Sequence, residues 1–428
     1  MNEPDMNDPY LGGTALRAML ERATADEPLI GPVVQNALVA GLKRRRRRRT
    51  SGIVACAVVV AAVSVITSAL TGAPSRTPAP ATQASTPTVY VTNHSSSTVG
   101  WVTPISTATN TAGPPIKAGK LNVAVASTPN GKTVYVLNQD SDTVTPVSTA
   151  TDKAGRPIKV AEFPFAIAIT PDGKIAYVLS ENSQLTPIMT ATNTAGRPIA
   201  ISPAGYSDAA TPAITPDGKT IYVSPSDESD YVIPVNTATG KAGKPIRVGA
   251  APSAIVITPD GKTVYTVNSI AQGTVTPIAV ATNKAGPSIK VGRYPVAIAI
   301  TPDGKTAYVA NSGSNTVTPI DIATGRAGPP ISVGHYPDTI AITPDGKTAY
   351  VINNSSNTVT PIDIATGRAG PPISVGGNPS DIAITPDGKT AYVVGSASGT
   401  VTPIDTATNT AGPAIKVGGY PYAIVIAP

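Results

Sequence analysis

Apolar residues in this chain come in short bursts separated by turn formers, and the bursts follow one template. In Tyr294–Gly334 (YPVAIAITPDGKTAYVANSGSNTVTPIDIATGRAGPPISVG) the run Ala297–Thr301 predicts a strand, a, and Thr306–Asn311 a second, b. Between them Pro302-Asp303-Gly304-Lys305 carries Asp-Gly, a dipeptide that closes a hairpin by placing two residues at positive φ. A Ser/Gly/Asn loop leads to strand c, Thr316–Ile322, and Gly325-Arg326-Ala327-Gly328 leads to strand d, Pro330–Val333. Nearly the same words return over Tyr336–Gly376, and weaker copies fill Thr88 to the C-terminus.

The tyrosine of strand b falls at Tyr90, Tyr135, Tyr177, Tyr222, Tyr265, Tyr308, Tyr350 and Tyr392, at spacings of 45, 42, 45, 43, 43, 42 and 42 residues. Four short antiparallel strands in a unit of about 40 residues describe one blade of a β-propeller. Val89–Gly119 supplies strands b, c and d without an a, and Tyr420–Ala427 supplies an a with nothing after it. The last segment therefore completes the first blade. This predicts an all-β, eight-bladed propeller of four-stranded antiparallel blades closed by its C-terminal strand, with seven blades as the alternative if one divergent unit is squeezed out. Closure also removes the sheet edges that a linear array would expose.

The words TAYVANSGSNTVTPIDIATG, GKTVYVLNQDSDTVTPVSTATDKAG and VYVTNHSSSTVGWVTPISTATNTAG resemble the YVTN-type β-propeller repeat of bacterial and archaeal surface proteins, over roughly Thr88–Pro428. The resemblance implies the propeller fold and a surface setting; it implies no particular chemistry. One departure is a proline inside every strand c, from Pro104 and Pro146 through Pro361 and Pro403. Proline cannot donate to a ladder, so the c to d pairing is expected to be short or bulged, with the proline nitrogen facing outward.

The first 87 residues follow different patterns. Within 1–50, Thr14–Ala25 places Leu16, Met19, Leu20 and Ala23 on one helical face, which reads either as a weakly ordered tail or as a docking helix for a cytoplasmic partner. Lys43 and Arg44–Arg49 then abut Gly52–Leu70, nineteen residues without a charge. That length and basic flank predict one transmembrane signal anchor over 51–71, N-terminus cytoplasmic and propeller extracytoplasmic. Residues 72–87, rich in Pro, Ala, Ser and Thr, read as an extended linker, and 88–428 as the propeller. Cleavage as a signal peptide, lipidation at Cys56 and twin-arginine export each fit the flanks less well.

Composition agrees with this outline. The 428 residues are 41% hydrophobic and 14% charged, with 44 prolines and 38 glycines, as a turn-rich β protein requires. Cys56 is the sole cysteine, so no intramolecular disulfide can form. The formal charge of +6 gathers no nucleic-acid motif, and no nucleic-acid partner is expected.

Candidate chemistry sorts by face. The a to b turns repeat Asp-Gly-Lys from Asp172 to Lys389, which reads as turn chemistry, with a basic ring for an anionic polymer or lipid surface as the sharper alternative. The opposite rim, formed by d to a and b to c loops, carries Glu162, Phe163, Phe165, Tyr206, Arg293, Tyr294, His335, Tyr336, Asp338, Asp381, Tyr420 and Tyr422. Aromatic and charged groups around a channel mouth predict a ligand or partner site, an extracellular protein or wall glycan or polymer being the expected class. Asp208, Asp227, Glu228 and Asp230 gather in the most divergent unit; they are weak candidates for a calcium ion, without a recognised loop spacing, and otherwise no cofactor is expected. With only His94 and His335 there is no multi-histidine metal site, and no catalytic motif appears. A binding or scaffolding module is the leading reading, ahead of a lactonase- or lyase-like propeller enzyme with a channel metal and of a transmembrane sensor.

Overall fold

Each tyrosine-centred burst is a buried strand. The computed structural model describes residues 87–94, 99–201, 212–224 and 229–428. Eight antiparallel sheets form, each running a-b-c-d from the axis outward. Numbered around the ring, strand a is Tyr420–Ala427 in blade I, Asn122–Ser127 in II, Pro164–Ile169 in III, Ala213–Ile214 in IV, Pro252–Ile257 in V, Pro295–Ile300 in VI, Pro337–Ile342 in VII and Pro379–Ile384 in VIII. Strand b is apolar without alternation because both its faces pack on neighbouring blades: Val134, Tyr135, Val136 and Leu137 are all fully buried.

Closure occurs in blade I. Tyr420–Ala427 pairs antiparallel with Thr88–His94, Tyr90 opposite Val425 and Val89 opposite Ile426. Each strand a touches the next until the circle is complete, so the ring has eight blades and not seven. The expected segments over 1–86 lie outside the described residues. Among the described residues no helix is long and apolar enough to cross a membrane.

Local geometry corrects the expected turn. Only the glycine of each Pro-Asp-Gly-Lys turn has positive φ, +69° at Gly173 and +70° at Gly304; the aspartate does not. Proline at the second position sets a type I turn, closed by Gly173 N–H donating to the Thr170 carbonyl at 2.8 Å. Asp172 Oδ1 accepts from Thr170 Oγ1 and from the Lys174 amide, which fixes the aspartate inside its own hairpin. Strand a also begins earlier than expected, at Pro295 rather than Ala297 in blade VI.

Strand d is split in two in every blade. In blade II, Lys153–Ala154 and Ile158–Lys159 each pair with strand c, while Pro146 sits opposite Tyr135 on the b side. The Pro146 carbonyl accepts from Gly155 N–H at 2.7 Å. A residue's N and C=O point to the same side of an antiparallel ladder, so the nitrogen without hydrogen also faces outward. This bears out the expected interruption and explains why it recurs.

The core lies between blades. Tyr135, Leu137 and Val144 of blade II pack with Ile167, Val178 and Ile188 of blade III, and equivalent clusters repeat around the ring. At the end of this contact the strand b tyrosine crosses to the next blade's c to d turn. Tyr135 donates to Asn193 Oδ1 at 2.6 Å, Tyr222 to Asn283 at 2.6 Å, Tyr350 to Asn409 at 2.6 Å and Tyr90 to Asp152 at 2.7 Å, and Tyr392 closes the ring on Asn110 at 2.5 Å. The acceptor occupies a left-handed turn position that Asn tolerates. Gly240, Gly325 and Gly367 stand there instead at the III–IV, V–VI and VI–VII interfaces.

Candidate functional site

The rim loops are held by backbone bonds to short polar side chains, and this sets where their aromatics stand. Phe163 N–H donates to Asp142 Oδ1 at 2.9 Å, Tyr336 N–H to Asn315 Oδ1 at 3.0 Å and Asn378 N–H to Asn357 Oδ1 at 2.7 Å. The residue so held precedes the proline of strand a and has positive φ, 51° at Phe163, 56° at Tyr336 and 53° at Asn378; Tyr294, at 45°, holds the same position with its amide donating instead to the Ile270 carbonyl at 3.0 Å. Asn or Gly takes that conformation readily, whereas for an aromatic residue it costs about 1 kcal/mol. The rim therefore keeps Phe163, Tyr294 and Tyr336 in spite of the backbone. Phe163 and Tyr336 are 46% and 49% exposed, Tyr420 is 65% exposed, and Tyr294 is half-buried. With Val99 they make four of the five large hydrophobic side chains that stand exposed among the described residues, all on this face; the fifth, Met189, is at the opposite end of its blade.

Two residues on, just past the proline, is a bulge. In blades II, III and V to VIII the a to b register shifts between the first and third residues of strand a, leaving the second unpaired. Such bulges re-aim a side chain. The bulged residues include Phe165, Asp338 and Ser380. Ser380 Oγ donates to the Tyr422 carbonyl at 2.9 Å and accepts from Ser396 Oγ at 2.8 Å, so the polar chain runs from blade VIII to the innermost strand of blade I. Ser253 makes the equivalent reach to the Pro295 carbonyl at 3.3 Å. Sequence reasoning passed over these serines, although each replaces the Val or Phe that other units carry there.

Two predicted residues are buried. Phe165 packs with Leu179, Leu185 and Val223 between blades III and IV. Asp381 is 4% exposed; its Oδ2 accepts from Ile424 N–H at 3.0 Å and its Oδ1 from Ile382 N–H at 2.8 Å, tying strand a of blade VIII to that of blade I. Burial outweighs those two donors and pushes the Asp381 carboxyl up to about 7, and burial likewise pushes Asp338, in the adjacent blade, up to about 6. The Asp338 charge contributes to the rise at Asp381. Burial and Asp338 also raise the Tyr336 hydroxyl.

The remaining predicted residues divide between this arc and elsewhere. His335 is exposed, with Nδ1 3.1 Å from Asn315 Nδ2 and its amide donating to Ser356 Oγ at 2.7 Å. Arg293 is exposed, its amide held by Ser314 Oγ at 3.1 Å, and Tyr422 is half-buried. Arg293, Tyr294, His335, Tyr336, Asp338, Asp381, Tyr420 and Tyr422 thus belong to the consecutive blades VI, VII, VIII and I. Glu162 and Phe163 stand apart, on the loop entering blade III. Tyr206, Asp208, Asp227 and Glu228 lie outside the described residues, and Asp230 pairs with Arg247 at 2.6 Å. Among the described residues no three His, Cys, Asp or Glu side chains gather closely enough to share a metal ion.

Comparison with known proteins agrees on architecture. The family model described as "Lactonase, 7-bladed beta-propeller" matches residues 280–371, which run from blade V into blade VII. The chain is a β-propeller. No curated protein matches the sequence. Among solved structures, Kuenenia stuttgartiensis hydrazine synthase is similar at TM-score 0.57 and 23% identity, over 67% of this chain and 96% of that one. The dihydro-heme d1 dehydrogenase NirN, in complex with DHE, is similar at TM-score 0.66 and 15% identity, over 79% of this chain and 75% of that one. A functionally unknown protein from Desulfotomaculum acetoxidans DSM 771 aligns at TM-score 0.55 and 17% identity, over 80% and 99% of the two chains. At these identities the likeness is one of fold.

Proposed function

We propose that the protein is a membrane-anchored, extracytoplasmic propeller of the YVTN repeat type that serves as a binding or scaffolding module, its contact surface being the rim of blades VI to I. The observation that carries this reading is the retention of Tyr294 and Tyr336 at backbone positions that disfavour them, beside the exposed Tyr420. Strain kept at a surface aromatic is offset by what the side chain contacts, and tyrosine offers an apolar face with a polar tip at small entropic cost. The apolar run over Gly52–Leu70 with its basic flank supports the anchor and its orientation. An extracellular protein or a wall glycan is the class of partner that such a rim fits.

The test is capture from cell-envelope extract by the detergent-solubilised full chain, beside a Tyr294→Gly, Tyr336→Gly variant. Glycine relieves the positive φ, so the variant should melt within a few degrees of the parent while losing a partner that the parent retains. Equal capture by both chains removes the rim from the reading.

A second reading, a lactonase-like enzyme, draws on the family match over 280–371 and on the two neighbouring carboxyls raised toward neutrality, where an acid or base can exchange protons. Lactone hydrolysis that vanishes in Asp338→Asn while the melting temperature holds would favour it over the binding module.

A further inference from the structure

The face opposite the rim carries charge unevenly. Six hairpin lysines are each neutralised by the aspartate two residues before them, at 3.1 Å for Lys174–Asp172 and up to 3.6 Å for Lys389–Asp387, so the expected basic ring of a to b turns is a ring of dipoles. Cations outside any described ion pair lie on the split outer strand, Arg326 and Arg368 of blades VI and VII among them. Lys153, Arg156, Arg197, Lys241, Lys244 and Lys284 are exposed on the split outer strand and its turn in blades II to V, with no described carboxylate within ion-pair reach. Lys132, whose turn has Asn130 in place of aspartate, adds to blade II.

Counting the a to b turns and the stretch from the end of strand c to the middle of strand d, blades II to V hold ten Lys or Arg against four Asp. Blades VI to I hold five against six. The asymmetry is positional as well. Between the two pieces of strand d, blades II, III and IV have Arg156, Arg197 and Lys244, where the other five have Pro114, Pro287, Pro329, Pro371 and Pro413. The second d piece of each blade touches the first d piece of the next, Ile158–Lys159 against Thr194–Ala195, Ile199–Ala200 against Lys241–Ala242, and Ile246–Arg247 against Lys284–Ala285. The cations therefore form one band stepping around the outer wall.

We infer that this band, on blades II to V, is a docking track for a linear phosphodiester polyanion of the polyol-phosphate kind. Its shape favours a strand over a plane. Arg156 lies three residues along the wall from Lys153, about 10 Å at strand rise, so a flat bilayer laid on the turn face would reach the turn lysines and leave the mid-wall cations out. Its chemistry favours phosphate over base recognition. Residues 151–160, 192–201, 239–248 and 282–291 contain no Phe, Tyr or Trp on which a nucleobase could stack. Arginine and lysine spaced along a wall neutralise successive phosphates and release their counterions, which makes affinity fall steeply with salt. The track runs along the outer wall, away from the rim, and does not depend on the rim having a partner.

The test uses the full chain in neutral detergent and a synthetic poly(glycerol phosphate) as probe, titrated at several salt concentrations. The variant is Arg156→Pro, Arg197→Pro, Lys244→Pro, which writes into blades II to IV the residue that the other blades already accommodate; Arg326→Ser, Arg368→Ser in the neutral sector is the control. The parent and the control should bind alike. The triple variant should bind at least about tenfold more weakly at low salt, with a log–log salt slope shallower by about three. No binding by the parent, equal loss in the control, or an unchanged slope in the triple variant overturns the track. Tighter binding of single-stranded DNA of equal charge, or of phosphatidylglycerol vesicles, overturns the assignment to a polyol phosphate.

Discussion

Asp381 shows how one side chain can hold the closing blades together and also make them sensitive to a rise in pH. Its carboxyl accepts two backbone donors, one from each of two blades, yet burial raises it from an ordinary value near 4 to about 7. Between those values the folded chain holds a proton that the unfolded chain has lost. Stability from this group is therefore fully present below about pH 4, falls as pH rises to about 7, and is flat above. The span of the fall is on the order of 2–4 kcal/mol. Asp338, raised to about 6, acts in the same direction. Urea midpoints of the parent should drop between pH 5 and pH 8, and those of Asp381→Asn should drop much less. Parallel curves for the two chains would remove Asp381 as the cause. An aspartate where other units carry Ala or Thr is visible in the sequence. Its partner Ile424, 43 residues on, is not, because the contact exists only after the ring closes.

At the level of elements the informative unit is the crossing from strand b to the neighbouring blade's turn. Eight tyrosines announce the repeat; their spacing left seven blades as the alternative, and the strand order, with each strand b inside a sheet of its own, fixes the count at eight. The reason why this turn ends in Asn or Asp in some units and in Gly in others was not legible. All three residues tolerate the left-handed turn, and only the assembled interface shows that Asn also accepts a tyrosine hydroxyl. Asn409→Gly, which leaves the Tyr350 hydroxyl without its side-chain acceptor, should cost about 1 kcal/mol in denaturant unfolding. Gly367→Asn should supply the missing acceptor for Tyr308 and gain about 0.5–1 kcal/mol, since nothing lies within 4 Å of an added Cβ there. The aromatic rim was legible as a place, from strand order, but not as a strained one. Tyr-Pro before a strand reads as repeat consensus until φ is known.

For the molecule as a whole, the joint in blade I decides whether a ring exists. Ala423, Ile424, Val425 and Ala427 are buried there, and Thr92 Oγ1 accepts from the Ala423 amide at 3.0 Å. A chain ending at Gly419 should lose several kcal/mol, from about 1.5–3 kcal/mol for each of Ile424 and Val425 together with the lost pairing, and should aggregate through the bared edge of Thr88–His94. A synthetic Tyr420–Pro428 peptide added in trans should raise its melting temperature toward that of the parent. Failure of the peptide to do so would mean that the joint is not what limits stability.

The same joint sets how the molecule bears load. Thr88–His94 follows directly on the segment leading from the N-terminus and lies between two antiparallel partners, Trp101–Ser106 on one side and Tyr420–Ala427 on the other. Tension arriving along the chain at Pro87 runs parallel to this strand, so it shears two ladders at once and cannot unzip either one bond at a time. The first strand of the propeller is also where its N-terminal segment attaches, and a force that would peel an edge strand from a sheet meets here a strand gripped from both sides.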